Sequence, residues 1–163
     1  MAIVLAAGLL GGGAAFWWLP RRAKDRRSAN ERRAHAGLRL IASAEADLRV
    51  KDLDGNGVFD FWTIDVVGLH HAGLIDRDLA EADALPRTPV VPAPVPFHGY
   101  YFKALRHPAN YGFVAYPAEP GVTGSTMYLI DANNVYAAPA SANPVPGVWP
   151  DPDALQRNWF PPY

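Results

Sequence analysis

The feature that most constrains this chain is its beginning. Met1 to Leu19 (MAIVLAAGLLGGGAAFWWL) carries no charged side chain. About 20 apolar residues suffice for a helix to cross a bilayer, and a run this greasy has few other homes. Trp17 and Trp18 close it, and Pro20, Arg21 and Arg22 follow. That order suits an interfacial aromatic belt with cations reaching the headgroups. A cleaved signal peptide fits poorly: no basic residue precedes the run, and two tryptophans stand where small residues should precede cleavage. A buried core helix is opposed by the flanking RRAKDRR. Residues 1–20 therefore read as a membrane helix. Counting charges alone, the positive-inside rule would place Arg21 to Arg27 in the cytoplasm.

From Arg21 to Lys51 there is no proline, and Ala, Arg, Glu and Leu dominate, all strong helix formers. Ala34, Leu38, Ile41, Ala44 and Leu48 recur at spacings of three and four, which makes one apolar stripe along a helix. Joined to the apolar run, this helix would cover residues 1–51, about 75 Å at 1.5 Å per residue. Gly11 to Gly13 and Pro20 are its weak points, at about 1 kcal/mol for each glycine and about 3 for the proline.

Beyond residue 51 the punctuation changes. The chain holds 16 prolines, 14 glycines and no cysteine. The missing thiols exclude a disulfide framework, a zinc–cysteine site, an iron–sulfur cluster and a thiol nucleophile. Residues 64–85 read as irregular or short helical structure, with Ala80 to Leu85 the best helical piece, and Arg87 to Pro96 (RTPVVPAPVP) should be extended. Four β-rich runs follow at Tyr100–Leu105, Tyr111–Tyr116, Thr126–Ile130 and Val135–Ala137. Their short turn-rich connections predict an antiparallel meander of three or four strands. Pro139 to Pro152 reads as irregular, and the aromatic tail QRNWFPPY should dock on an apolar surface.

One string invites a metal. Asp52, Asp54, Asn56 and Asp60, with the carbonyl of Val58, occupy D-x-D-G-N-G-x-x-D, and oxygen ligands at that spacing match the first part of a Ca2+ loop. The closing glutamate of such a loop is replaced by Thr63, with Asp65 two residues late. A helix C-terminus followed by a polar turn uses the same residue types for turn reasons. The adjacent His70 and His71 are weaker metal candidates, with Asp65, and read as solvated loop histidines. The aromatic residues of the β-rich runs read as core and sheet-face residues. The serines lack a nucleophile elbow and there is no phosphate loop, so no catalytic residue, no organic cofactor and no enzyme activity are expected.

Several of these segments resemble a known family. The apolar run ending in Pro20, then Ser28-Ala29-Asn30-Glu31 and the helix GLRLIASAEADLR, is similar to the stem of type IV pilins and pseudopilins. HGYYFKAL, GFVAYPAEPGVTG and TMYLIDANNVYA resemble the sheet of a pilin-like bacterial family of unknown biochemical function. The resemblance implies an α+β fold in which a long N-terminal helix, apolar then amphipathic, packs on a small antiparallel sheet of three to four strands. Four segments result: the apolar helix at 1–20, its amphipathic half at 21–51, an irregular αβ-loop with the calcium and proline-rich stretches at 52–97, and the sheet and tail at 98–163. It also implies an unwound stretch across Gly11–Pro20, and a sheet domain outside the membrane despite the charge count.

The function so implied is that of a structural subunit of an extracellular pilus-like filament or secretion pseudopilus. Such a subunit would be held in the inner membrane before assembly, would self-assemble as a helical homopolymer, and would meet pilus or secretion machinery but no nucleic acid. The alternative is a single-pass, membrane-anchored calcium- or glycan-binding domain outside the cytoplasm that does not polymerise. The net charge of -1 conceals a segregation that suits either. Residues 1–51 hold ten basic and four acidic side chains, and residues 52–163 hold five and twelve.

Overall fold

The structure, a computed structural model, describes residues 13–53, 55–88 and 93–162, with side-chain surroundings from residue 22 onward. It is an α+β arrangement in which one long helix lies on a four-stranded sheet. Helix α1 runs from Gly13 to Lys51, about 58 Å. The stripe expected from spacing is the buried one: Ala34, Leu38, Ile41, Ala44 and Leu48 are at most 3% exposed. Burying each of the larger aliphatic side chains contributes about 1.5–3 kcal/mol. Arg49 and Lys51 lie in the last turn, where cations suit the negative end of the helix dipole. Asp52 ends the helix in the left-handed region, at φ 47°.

The unwound stretch expected across Gly11–Pro20 is corrected for the residues described, because α1 is helical from Gly13 through Pro20. Gly11 and Gly12 lie outside the described residues. A proline removes one backbone hydrogen bond, but helix already nucleated on the head can propagate through it without forming a new nucleus. Among the described residues no helix is long and apolar enough to cross a membrane; most of the apolar run, Met1 to Gly12, lies outside them.

The sheet is a meander of β1 (Tyr100–Leu105), β2 (Gly112–Pro117), β3 (Thr126–Asp131) and β4 (Val135–Pro139), in that order, every neighbouring pair antiparallel. Period-two alternation divides its side chains between two faces. Tyr100, Phe102, Phe113, Ala115 and Ile130 share one core with the stripe of α1. Leu105, Val114, Met127, Leu129 and Ala138 form a second core with Trp159, against which Trp149 and Leu155 pack. The aromatic tail therefore docks as its composition suggests. The chain enters β1 through His98 and Gly99, both with positive φ (49° and 80°). Phe97 and Tyr100 exchange backbone hydrogen bonds of 2.9 and 3.0 Å across them, the geometry of a two-residue type I′ turn.

Each edge strand is bridged at one residue by another segment of the chain. Phe102 on β1 donates to Ala82 O (2.9 Å) and accepts from Ala84 N (2.7 Å). On β4, Ala137 exchanges bonds of 2.7 and 2.8 Å with Phe160. Each bridge occupies part of an edge on which another strand could pair. Among the described residues three short helices complete the fold: α2 (Val66–His71), α3 (Arg77–Ala80) and α4 (Pro152–Asn158). The helical piece expected at Ala80–Leu85 is a correction, since α3 ends where that stretch begins and residues 82–84 are drawn out along β1. Helix α4 falls next to the stretch read as irregular. It is opened by Asp151, whose carboxylate accepts from Ala154 N at 2.8 Å, and by Pro152 in the first turn, the usual helix-start chemistry.

Candidate functional site

Two segments far apart in sequence meet where the stem enters the head. Arg27 donates to Gly121 O at 3.0 Å and Asn30 Nδ2 to Thr123 O at 3.0 Å. Glu31 Oε1 accepts from both the amide and the hydroxyl of Ser125, at 2.8 and 2.7 Å. Ser28-Ala29-Asn30-Glu31 thus grips the turn between β2 and β3. Hydrogen bonds to a carboxylate are among the stronger ones. Below this clamp, Lys24, Asp25 and Arg26 are exposed, so the stem carries its cations beyond the head.

Beside the clamp lies an open groove of about 640 Å3 between α1, β3, β4 and the tail, lined by Glu31, Arg32, His35, Tyr128, Phe160 and Pro161 among others. The His35 ring lies 5.7 Å from that of Tyr128, and its Nε2 is buried without a hydrogen-bond partner. Burial, with Arg39 nearby, holds the imidazole pKa below its usual value, so the ring is neutral at pH 7.

Three carboxylates are buried between α1 and the α2–α3 segment, and their environments differ. Asp65 opens α2: Oδ1 accepts from Gly68 N (2.8 Å) and Trp62 Nε1 (3.2 Å). Its Oδ2 takes Arg87 N (2.8 Å), Thr88 N (2.6 Å) and Thr88 Oγ1 (2.7 Å). Burial raises the pKa of this carboxyl, but the bonds from Thr88, Gly68 and Arg87 outweigh it and the net direction is down. Asp83 accepts from Val66 N, Val67 N and Leu85 N, yet burial dominates and raises its pKa above the ordinary aspartate value. Glu45 has one donor, Trp62 N at 2.8 Å. Its Oε1 has no partner, and burial pushes its pKa up to about 8. It is a neutral acid in the core at pH 7.

The candidate calcium residues are only partly within the described residues, Asp54 lying outside them. Asp52 Oδ2 accepts from Gly57 N at 3.1 Å, and Asn56 Oδ1 from Val58 N at 2.6 Å. Asn56 Nδ2 lies 3.4 Å from Asp60 Oδ1, and the Val58 carbonyl accepts from Asp60 N at 3.0 Å. These are the bonds of a polar turn, although Asp52 Oδ1 is buried without a partner. Among the described residues no three His, Asp or Glu side chains are grouped to hold a metal. His70 Nδ1 lies 2.9 Å from Ile75 O, and Asp65, engaged by backbone and side-chain donors on both oxygens, does not join the histidines.

The contacts of the clamp and the roles of the three buried carboxylates escape sequence reasoning: Asn30 and Glu31 stand out only as part of a family-like string and Asp65 only as a metal candidate, while Glu45 and Asp83 resemble any polar residue of a helix or loop. One signal was available for Glu45: it adjoins Ala44 on the apolar stripe, where a charge is out of place. No known protein family, curated protein or solved structure matches the chain.

Proposed function

We propose that this protein is a structural subunit of an extracellular, type IV pilus-like filament or a secretion pseudopilus. It would be held in the inner membrane before assembly and polymerise through its N-terminal helix. The observation that carries this reading is the projecting stem. The stripe of α1 is buried from Ala34 onward, whereas residues 22–26 are all exposed. A helix that continues past its own core, towards a sequence as apolar as Met1–Leu19, has its partners outside the chain. A bilayer and a bundle of like helices would each satisfy it. The small residues Ala6, Ala7, Gly8, Ala14 and Ala15 favour close helix–helix approach. The partners are then further copies of this chain and the machinery that extracts it from the membrane. The test is electron microscopy of sheared cell-surface fractions, probed for the protein. Filaments containing it are the expected outcome, and recovery solely as detergent-soluble monomers would overturn the proposal.

A second reading concerns the 52–60 turn and is separable from the first. The buried, unpartnered Asp52 Oδ1 and the closeness in sequence of Asp52, Asp54 and Asp60 favour Ca2+ held by Asp52, Asp54, Asn56, Val58 O and Asp60. Like charges this close repel unless something neutralises them. A membrane-anchored calcium-binding domain that never polymerises would keep this second reading and lose the first.

A further inference from the structure

A second feature of the head matches the exposed cations of the stem. Between α1 and the α2–α3 turn is a pocket of about 240 Å3. It is lined by the apolar Leu40, Leu74, Ile75, Leu79 and Phe97 together with Asp76 and Asp78, both of them exposed. Leu40 is 56% exposed, on the outward side of the helix. The one cation between the aspartates, Arg77, is turned to Glu81 at 2.6 Å and leaves them unneutralised. Asp76 makes no side-chain cap bond to α3. Asp78 acts electrostatically on the exposed His98, whose Nδ1 lies 3.3 Å from Arg33 Nη1; the charged side chains that line the pocket itself are the two aspartates.

We propose that this pocket receives a basic side chain from the stem turn Lys24–Arg26 of a second copy of this chain. A long cationic side chain is the chemistry that fits. Its methylenes lie along apolar walls while its charged head stays at the rim beside carboxylates. Charge complementarity names the donor: Lys24 and Arg26 are exposed and make no ion pair or hydrogen bond among the described residues, and both lie below the clamp. Both are carried on α1, whose backbone is already ordered as helix, so docking them would order few backbone groups. The proposal rests on the self-assembly reading and specifies which surfaces meet.

The absence of cysteine makes the test clean. Full-length Arg26→Cys and Asp76→Cys variants are co-expressed, and sheared surface fractions are treated with a short bismaleimide. A crosslinked dimer is expected in the mixed sample and absent when either variant is expressed alone. In parallel, Asp76→Lys with Asp78→Lys should lower filament yield about tenfold, and adding Lys24→Glu with Arg26→Glu should restore it to within about twofold, as expected where like charges are set opposite one another. Normal filaments without the 26–76 crosslink, or filaments indifferent to the charge reversal, overturn the docking site and leave the filament standing. Failure of the parent chain to form any filament overturns both.

Discussion

Replacing Glu45 by glutamine should change how stability depends on pH. The Glu45 carboxyl is fully buried and its pKa lies at about 8 in the fold, against 4.5 when unperturbed. Between those values the folded protein holds a proton that the unfolded chain has released. Its stability therefore falls as pH rises through that window, and the loss is complete above about pH 8, where both states are ionised. At about 1.4 kcal/mol per pH unit, wild-type protein should lose about 4 kcal/mol between pH 5 and pH 8.5 through this residue. Glu45→Gln keeps an oxygen for Trp62 N and never ionises. Its amide hydrogens lack partners, so it should match the wild type or fall below it by up to about 2 kcal/mol at pH 5, and exceed it by about 2–4 at pH 8.5. Denaturant melts of both full-length proteins in one nonionic detergent, followed by tryptophan fluorescence, measure this directly. His35, His98 and Asp83 are common to both and cancel in the difference. Parallel stability curves for the two proteins across that range would refute the reasoning.

Other expectations follow from the same geometry. Asp65→Ala strands the donors of Trp62, Gly68, Arg87 and Thr88 and should cost more than about 3 kcal/mol, read as a lowered Tm with faster hydrogen exchange at Gly68 and Thr88; an unchanged Tm would contradict the cap. Glu31→Ala removes both Ser125 bonds from the clamp and should cost about 1–2 kcal/mol while opening the 119–125 turn to limited proteolysis; equal cleavage of variant and parent would contradict the grip. Gly68→Ala places a methyl group into the Trp62 ring and should destabilise by about 2–4 kcal/mol, with a shift in tryptophan emission as the check. Millimolar Ca2+ should raise the Tm, and chelator or Asp54→Ala should abolish the rise; a Tm indifferent to both would remove calcium from the 52–60 turn.

The elements that were legible in the sequence are those built on local periodicity. Spacings of three and four from Ala34 to Leu48 placed the buried face of α1, and β-branched and aromatic runs between turn residues placed four strands within a residue or two of their ends. Residues 64–85 were less legible. Ala80 to Leu85 has helical composition, but Phe102 on β1 binds Ala82 and Ala84 on either side of Asp83, and Asp83 is held inward by Val66 and Val67. Tertiary partners there outweigh a propensity of tenths of a kcal/mol per residue.

The sequence by itself determined the long helix, the meander and the segregation of a basic stem from an acidic remainder, because periodicity and charge order are properties of neighbouring residues. Only the tertiary structure decided what each carboxylate does. Glu31, Glu45, Asp65 and Asp83 are chemically alike, yet one grips a turn from 94 residues away, one is a neutral acid in the core, one caps a helix as an anion, and one ties a strand edge to α2. The difference lies in how far each is withdrawn from water and how many donors reach it, and both are set by segments that meet only in the folded chain.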